Sequence, residues 1–490
     1  MERKDILRDF LVFVGICYSA TRCTHILRGI GKVLASKSAS TSVASRTASS
    51  LPPKVYANMT ATIATNGRAD RPRRAFATHI PKWQRFQSKF IVPSGKAANK
   101  VSSQDTEIYP YQRQYSTVYF QRLSALKGRC WDAMGEDTSY TKVDRVLGLR
   151  EKIPSMIVGT FVKETEKADE EPIQPGTECR PSDQLFLEDE SGRVALMVDN
   201  VHQFCTGVVM GVKGIVDSTG ILQVQEIFAP ASPKPACISG SVTPSRPSSL
   251  EPHLLIVSSL LCGDDNVSSL PREMLVSYLQ GQFTHDAAKV SRVLVAGAGP
   301  SSQNQLLGIK ELDAFGVQLS RCGIPIDIMP GKNDPTTANW PQRPLHSSLL
   351  PNATATVFRT PNPYAAGHGN KLIVGADGSN IADLQKFVLN DEKEKLTEIQ
   401  ALEKTLEWSH LCPTGPSSLP TVPHVDQDPM VLDLKPQIYF ASNCSAFAHK
   451  KLDDDTVLIC VPKFSQSAEA VLVNLETLQV ELLRFEDNNS

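Results

Sequence analysis

Two apolar runs divided by a polar turn at Asp189–Gly192 are followed at once by a second such pair divided at Asp217–Gly220, and no feature of the chain constrains its fold more. Apolar runs joined by Asp- and Gly-rich turns are hairpins. Before them, SMIVGTFVKET (155–165) is a further β-rich run, separated by a Pro/Glu-rich loop at 168–182. Five short strands with two tight hairpins in about 80 residues predict an OB-type β-barrel. Upstream the period changes. Tyr115, Tyr119, Leu123 and Leu126 recur at helical spacing, which predicts one apolar stripe on a helix of about four turns. Such barrels bind single strands through exposed aromatics above a basic groove. Here 188–190 is Glu-Asp-Glu, and Phe161, Phe186 and Phe228 fall at apolar strand positions. Those positions face inward, so the three rings are expected to pack the core and the barrel to serve as an interaction module.

A second body follows a Pro/Ser-rich stretch. HLLIVSSLL (253–261), VSRVLVAGAG (290–299) and IPIDIMPG (324–331) read as buried strands, with helices expected at 270–283, after Ser269, and at 309–323, ending at Gly323. Strand–helix–strand units of this kind predict an α/β domain with a covered sheet. VLICVPKF (457–464) and AVLVNLETLQVELLRF (470–485) are expected to complete a second sheet, and 390–408 to form a solvated helix with i,i+4 charge pairs. The expected divisions are an extension at 1–104, helix plus barrel at 105–235, a linker at 236–252 and the α/β domain at 253–490.

Open α/β sheets carry their sites in the loops beyond the strand ends. A two-metal phosphoesterase needs carboxylates, an Asn and several His there, holding ions about 3.5–4 Å apart. The loops instead read Ser258-Ser259-Leu260, Gly297-Ala298-Gly299 and Pro330-Gly331-Lys332-Asn333-Asp334-Pro335. A lone Asp or His per loop cannot assemble a dinuclear site, and Lys332 adds a cation where cations would sit. Asp264 and Asp265 are a carboxylate pair in a turn, where solvation explains them. G-x-S-x-G, G-x-x-x-x-G-K-[ST] and H-E-x-x-H are all missing, and AGAGPSSQ (296–303) has neither the Lys nor the spacing of a nucleotide loop. No cofactor is implied.

Charge is unevenly spread. Of 51 Lys and Arg and 52 Asp and Glu, residues 1–100 hold 18 and 4, leaving 33 basic against 48 acidic groups beyond. An acidic body does not suit independent binding to a phosphate backbone. The basic arm is Ser/Ala-rich at 36–50 and Arg/Pro-rich at 68–76, compositions expected to stay disordered. Its apolar run Phe10–Tyr18 resembles a signal-peptide core, although Asp5 and Asp9 flank it, and RPRR (71–74) suits nuclear import. No stretch approaches the ~20 apolar residues that a membrane span needs. The eleven cysteines include no C-x-x-C pair, which fits reduced thiols rather than a zinc ribbon or disulfide framework.

Ordered motifs extend from Tyr115 to Phe485. They run from RQYSTVYFQRL (113–123) through LFLEDESGRV (185–194), GVVMGVKGIVD (207–217) and VSRVLVAG (290–297) to IPIDIMPGKNDPTTANWPQRPLH (324–346), the most specific block. TPNPY (360–364), LEWSHLCPTGPSSL (406–419), PQIYFASNCSAF (436–447) and VPKFSQSAEAVLVNLETL (461–478) follow in order. Together they resemble the small (second, or B) subunit family of DNA polymerase delta. The resemblance implies an OB fold followed by a calcineurin-like metallophosphoesterase domain that has lost its metal ligands.

By position, Ser258 and Leu260 stand where active members of that superfamily keep Asp and His, and Ala298 where they keep Asp. Lys332, Asn333 and Asp334 replace an Asn-His-acid run, Asn362 replaces a His, and His410 survives as a structural histidine. Departures from the family pattern are Ala298, the segment Pro413–Leu419 without its usual Asp, Asp377–Asn380, and Ser442-Asn443. The resemblance further implies a nuclear, non-catalytic role. The protein would join the catalytic subunit, through that subunit's cysteine-rich C-terminal region, to a third regulatory subunit, and reach the sliding clamp and DNA only through the complex. Trp340 and Tyr364, placed in loops, are expected as interface anchors. The alternatives are an active metal-dependent phosphoesterase or exonuclease, and the equivalent subunit of polymerase alpha or epsilon. PGKNDP followed by PQRPLH favours delta.

Overall fold

The computed structural model describes residues 84–85, 114–165, 173–235 and 251–486, except for 284, 298, 353–356, 369–370, 424–426 and 453–454. The apolar run Phe10–Tyr18, the RPRR tract and 236–250 of the linker lie outside the described residues, as does Ala298. Residues 77–490 fall in one compact unit.

The first described element is helix α1, Ser116–Met134. Its buried face is Val118, Arg122, Leu123, Leu126, Cys130 and Met134, whereas Tyr115 precedes the helix and is exposed. The stripe is thus rotated from the expected one, and it takes in an arginine.

Five strands then close a barrel: β1 (Pro154–Thr165), β2 (Asp183–Glu188), β3 (Arg193–Met197), β4 (Val209–Val216) and β5 (Leu222–Phe228). β1 pairs with β2, β2 with β3, β3 in parallel with β5, β5 with β4, and β4 returns to β1, the closed 1-2-3-5-4-1 ring of an OB fold. Closure leaves the five strands without a free edge. Both hairpin turns stand where the sequence places them, with Asp189 N donating to Gly192 O and Gly220 N to Asp217 O. Phe161 is fully buried, its ring edge-on to Phe204 at 5.1 Å. Phe186 and Phe228 are only half-buried, and each carries a cation over its ring, Arg193 at 4.7 Å and Lys213 at 5.1 Å.

The second body is a sandwich of two mixed sheets. One holds β6 (His253–Val257), β7 (Val290–Ala296), β8 (Ile326–Met329) and β9 (Val357–Arg359) in parallel. The other holds β10 (Tyr364–His368), β11 (Lys371–Ala376), β12 (Ile438–Cys444), β13 (Ala448–Lys451) and β14 (Val457–Pro462). Their order is β10-β11-β12-β14-β13, and Gln84–Arg85 pairs with Gly367 and Ala366 on the edge of β10. The closing hairpin β15 (Glu469–Asn474) and β16 (Val480–Arg484) does not join this second sheet, as its sequence suggests. It extends the first one instead, β15 running antiparallel to β6. β6 is an all-apolar strand start to finish after His253, so it can be flanked on either side, and periodicity cannot tell which sheet receives the hairpin.

Alternation along each strand sets the layers. Leu254 and Ile256 of β6 meet Ile438, Phe440, Val457, Ile459 and Val461 between the sheets. Leu255 and Val257 face the opposite way, under α2 (Leu270–Leu279) and α3 (Gln305–Ser320). α2 stops four residues short of its expected end, and α3 starts four earlier than expected because Asn304 caps it by accepting Leu307 N. On the far face, Tyr439, Ala441, Leu458 and Cys460 pack with α4 (Ser379–Leu384) and α5 (Glu398–Glu407), and this core runs on without a break into the barrel. The α5 helix replaces the longer solvated helix expected at 390–408. Thr397 and Gln400 form a capping box at its start, and Ala401, Leu402, Thr405 and Leu406 are buried. The architecture is an OB-fold barrel followed by a helix-covered α/β sandwich.

Candidate functional site

The strand ends of both sheets meet in one crown. Ser442 bridges them: its Oγ lies 2.6 Å from Ala296 O at the end of β7 and 3.2 Å from Ala376 O at the end of β11. Around it, the described positions that the sequence resemblance sets against metal ligands are, apart from Lys332 and Asn333, engaged with the protein itself. Ser258 is fully buried, donates to Pro462 O at 2.8 Å and accepts Asn443 N at 3.2 Å. Leu260 is fully buried in the core beneath α2 and α3. Asp334 accepts Gly331 N at 2.7 Å and so closes its own turn. Lys332 and Asn333 are exposed.

Asn362 is buried, with Nδ2 donating to Gln342 Oε1 at 2.7 Å and Oδ1 accepting Asp377 N at 3.3 Å. Gln342 donates in turn to Gly331 O at 3.2 Å. Asp377 is buried beside Asn362, and burial raises its pKa. Its oxygens accept Lys332 N at 2.8 Å and Ser379 Oγ at 2.7 Å. Asn443, in the left-handed region at φ 55°, donates to Asp377 O at 2.9 Å. Neutral amides, hydroxyls and backbone groups therefore close this network. A dinuclear centre needs several carboxylate and imidazole donors facing one point. Among the described residues the crown's carboxylates are Asp377 and Asp334, both bound to backbone N–H groups. Asp377, Gln342 and Asn443 do not stand out in the sequence, because a buried amide reads there as an ordinary polar loop residue.

His410 belongs to a different constellation. Its Nε2 lies 2.9 Å from Asp428 Oδ2, and its Nδ1 accepts Cys412 N at 3.2 Å. Arg122 of α1 donates to that same Asp428 oxygen at 2.8 Å. It also donates to Gly207 O beside β4, and to Pro413 O and Gly415 O in the sandwich, at 2.7–2.9 Å. His410, Asp428 and Arg122 are each at most 2% exposed. The surviving histidine thus helps bolt α1 and the barrel to the sandwich. The sequence signal for this is an arginine in register with Val118 and Leu126 on an apolar helix face.

The two expected surface anchors are buried, Trp340 at 2% and Tyr364 at 1% exposure, so neither projects from the surface described here. Trp340 packs in the main core, tied by its backbone to Pro420 and Val422. Tyr364 stands on β10 rather than in a loop and donates to Asp327 Oδ2 at 2.7 Å, in a carboxylate also held by Arg292 at 2.8 Å. Tyr364→Phe is expected to cost about 1–3 kcal/mol, since it strips one hydrogen bond from a fully buried carboxylate. Urea denaturation of the two proteins compares them, and a loss below a few tenths would show that Arg292 alone satisfies Asp327.

The cysteines are also structural in character. The eight described ones are free, and burial pushes the thiols of Cys130, Cys205, Cys262 and Cys412 up to about 12, far from a reactive thiolate. Among the described residues no helix is long and apolar enough to cross a membrane.

Comparison with known proteins agrees with the two-part architecture. Residues 114–227 match the family model of the DNA polymerase delta subunit OB-fold domain, and 254–449 match that of the DNA polymerase alpha/epsilon B subunit. The DNA polymerase delta small subunit of Oryza sativa subsp. japonica is 31% identical over 412 residues, covering 76% of this chain and 93% of that protein. Its counterpart from Arabidopsis thaliana is 30% identical over 77% of this chain and 92% of its own. That from Saccharomyces cerevisiae is 27% identical over 77% and 90%. Among solved structures, a dimetal phosphatase from Danio rerio aligns with 48% of this chain at 12% identity and a TM-score of 0.27, which adds nothing to the layer order seen directly. Barrel, sandwich and near-full-length relatives converge: the chain belongs to the DNA polymerase delta small-subunit family.

Proposed function

We propose that this protein is a non-catalytic scaffold of a DNA polymerase delta complex, acting in the nucleus. It would hold the catalytic subunit, through that subunit's cysteine-rich C-terminal region, and a third regulatory subunit on one rigid body. The barrel module (105–235) and the sandwich (253–490) act as a unit, and the sliding clamp and DNA are met only through the complex. The observation that carries this reading is the crown, where Ser258, Leu260 and Asn362 commit their side chains to the protein's own packing and hydrogen bonds. A crown whose described polar side chains are turned to the protein's own hydrogen bonds is suited to a structural body that meets other proteins.

Large apolar side chains at the surface support the same reading. Leu270 begins α2, and Leu306 and Leu307 begin the neighbouring α3. They are 48%, 68% and 38% exposed, beside the Arg272–Glu311 ion pair that links the two helices. Contiguous exposed apolar surface marks interaction sites.

Three measurements test the proposal. The purified chain, given manganese and a phosphodiester, is expected to show no turnover above a Ser258→Ala variant. Affinity capture from nuclear extract is expected to bring down one large polymerase chain in equal amount, and the chain alone is expected to aggregate at high concentration. Manganese-dependent hydrolysis lost on altering the crown would establish the phosphoesterase alternative instead.

A further inference from the structure

On the side of the barrel that meets the sandwich, three donor side chains of different chemistry converge. Cys179 precedes β2, Asp183 opens it, and His202 lies between β3 and β4. One donor atom from each falls within 4.8 Å of the other two, and among the described residues no other His, Cys, Asp or Glu trio comes so close. Cys179 and Asp183 are buried, while the His202 side chain is 19% exposed and leaves the cluster an opening to solvent.

Cys179 Sγ donates to Phe387 O at 3.3 Å, whereas the contact of His202 is poor for a metal-free site. His202 Nδ1 lies 3.4 Å from Asp183 Oδ2, is buried, and makes no hydrogen bond. Asn200 Oδ1, on the same segment as His202, is likewise buried without a hydrogen-bond partner. Buried polar atoms are nearly always satisfied, so such a concentration calls for a missing species. The donors are otherwise well oriented. Asp183 is fixed by the Thr165 hydroxyl and by Arg180 N at 3.1 Å. Lys163 Nζ, held by Phe387 O at 2.5 Å, stands 3.9 Å from Cys179 Sγ, where it can donate to a thiolate.

We infer that Cys179, Asp183 and His202 form a binding site for a divalent transition-metal ion of the zinc class, with solvent at a fourth position. Sulfur, imidazole nitrogen and carboxylate oxygen bind zinc at about 2.3, 2.0–2.1 and 2.0–2.2 Å, so the three donors need only close slightly around the ion. Thiolate in the set selects zinc or cobalt over magnesium or calcium. Binding forms the metal–sulfur bond and releases the Cys179 thiol proton to solvent, and no electron changes hands. The location gives the site a structural role. It sits where Glu178 N donates to Lys386 O at 2.6 Å and Leu389 N to His202 O at 2.8 Å, so a bound ion would clamp the barrel to the sandwich.

The test uses the full chain, stripped with chelator and titrated with Co2+ and then Zn2+, alone or with the partners it retains. Expected are one extra equivalent of cobalt relative to Cys179→Ser, a cobalt–thiolate charge-transfer band, and its displacement by zinc. Cys179→Ser should abolish the band, and His202→Gln should weaken binding by at least the ~10–100-fold seen on losing even an outer-sphere partner. Cys322→Ser, at a half-buried thiol elsewhere, should change neither. A band that survives Cys179→Ser, or wild-type chain that takes up no more cobalt than that variant, would overturn the site. These outcomes do not depend on the scaffold reading, which concerns the crown and the partners.

Discussion

Replacing Arg122 with Leu is expected to destabilise the protein by about 3–5 kcal/mol, the cost of leaving one partner of a buried ion pair without the other. Asp428 is 2% exposed, and His410 and the backbone N–H of Met430, at 3.0 Å, would remain as its partners. Three carbonyl oxygens, of Gly207, Pro413 and Gly415, would lose their donor in the same step. They belong to both bodies, so the loss should appear as an earlier, less cooperative transition in urea and as new proteolytic cleavage near 410–430. Arg122→Lys keeps the charge but cannot reach four acceptors with one ammonium, and should fall between the two. A change below about 1 kcal/mol would show that the network is not what couples α1 to the sandwich.

The pH dependence follows from the same pair. Arg122 and His410 hold the Asp428 carboxyl well below the usual carboxylate range, against the opposing effect of burial, which is the largest single influence on it. A folded-state pKa below the unfolded value of about 3.9 contributes stability that is present above pH ~4 and is lost as the pH falls towards the folded value. Wild type should therefore lose stability more steeply in acid than Asp428→Asn.

The second large effect is expected at Gly378→Ala. Gly378 has φ 83°, and an added Cβ would lie 2.0 Å from Ser442 O, a backbone atom that cannot swing away. Left-handed backbone costs an L-residue about 1–2 kcal/mol, and overpacking a further 1–3 or so. The strand carrying Ser442 would have to shift, and with it the hydroxyl that ties the two sheets through Ala296 O and Ala376 O. Gly220→Ala is the control. Its φ is 84° but nothing lies within 4 Å of the added atom, so only the backbone strain should register. Equal losses of melting temperature in the two variants would mean that the crown yields easily and is not the rigid junction described above.

Much of this is legible in the residues. The hairpin turns at Asp189–Gly192 and Asp217–Gly220 are local chemistry, so they stand where the residue types put them. The buried strands His253–Val257 and Val290–Ala296 are equally plain, because a strand covered on both faces needs apolar residues throughout. That Ser258, Leu260, Lys332 and Asn362 are not customary metal ligands is visible as residue types. What stands around them is not: that Asn362, Gln342, Asp377 and Asn443 join in one hydrogen-bond network depends on loops from four strands arriving together. Tyr364 and Trp340 mislead for a related reason, since aromatic residues beside prolines suit both a surface anchor and a buried corner. The helix at Glu398–Glu407 reads as solvated because its charges are obvious and its apolar face occupies few positions.

What the chain determined by itself is what depends on near neighbours: where strands and turns lie, which residue types its loops carry, and which family its ordered motifs belong to. The tertiary structure alone decided which sheet receives the closing hairpin, which carboxylate meets Arg122, and that Cys179, Asp183 and His202 come together. Those outcomes pair residues tens to hundreds of positions apart, and their energies come from excluding water at the contact. Such a contact has no periodicity or spacing along the chain to reveal it.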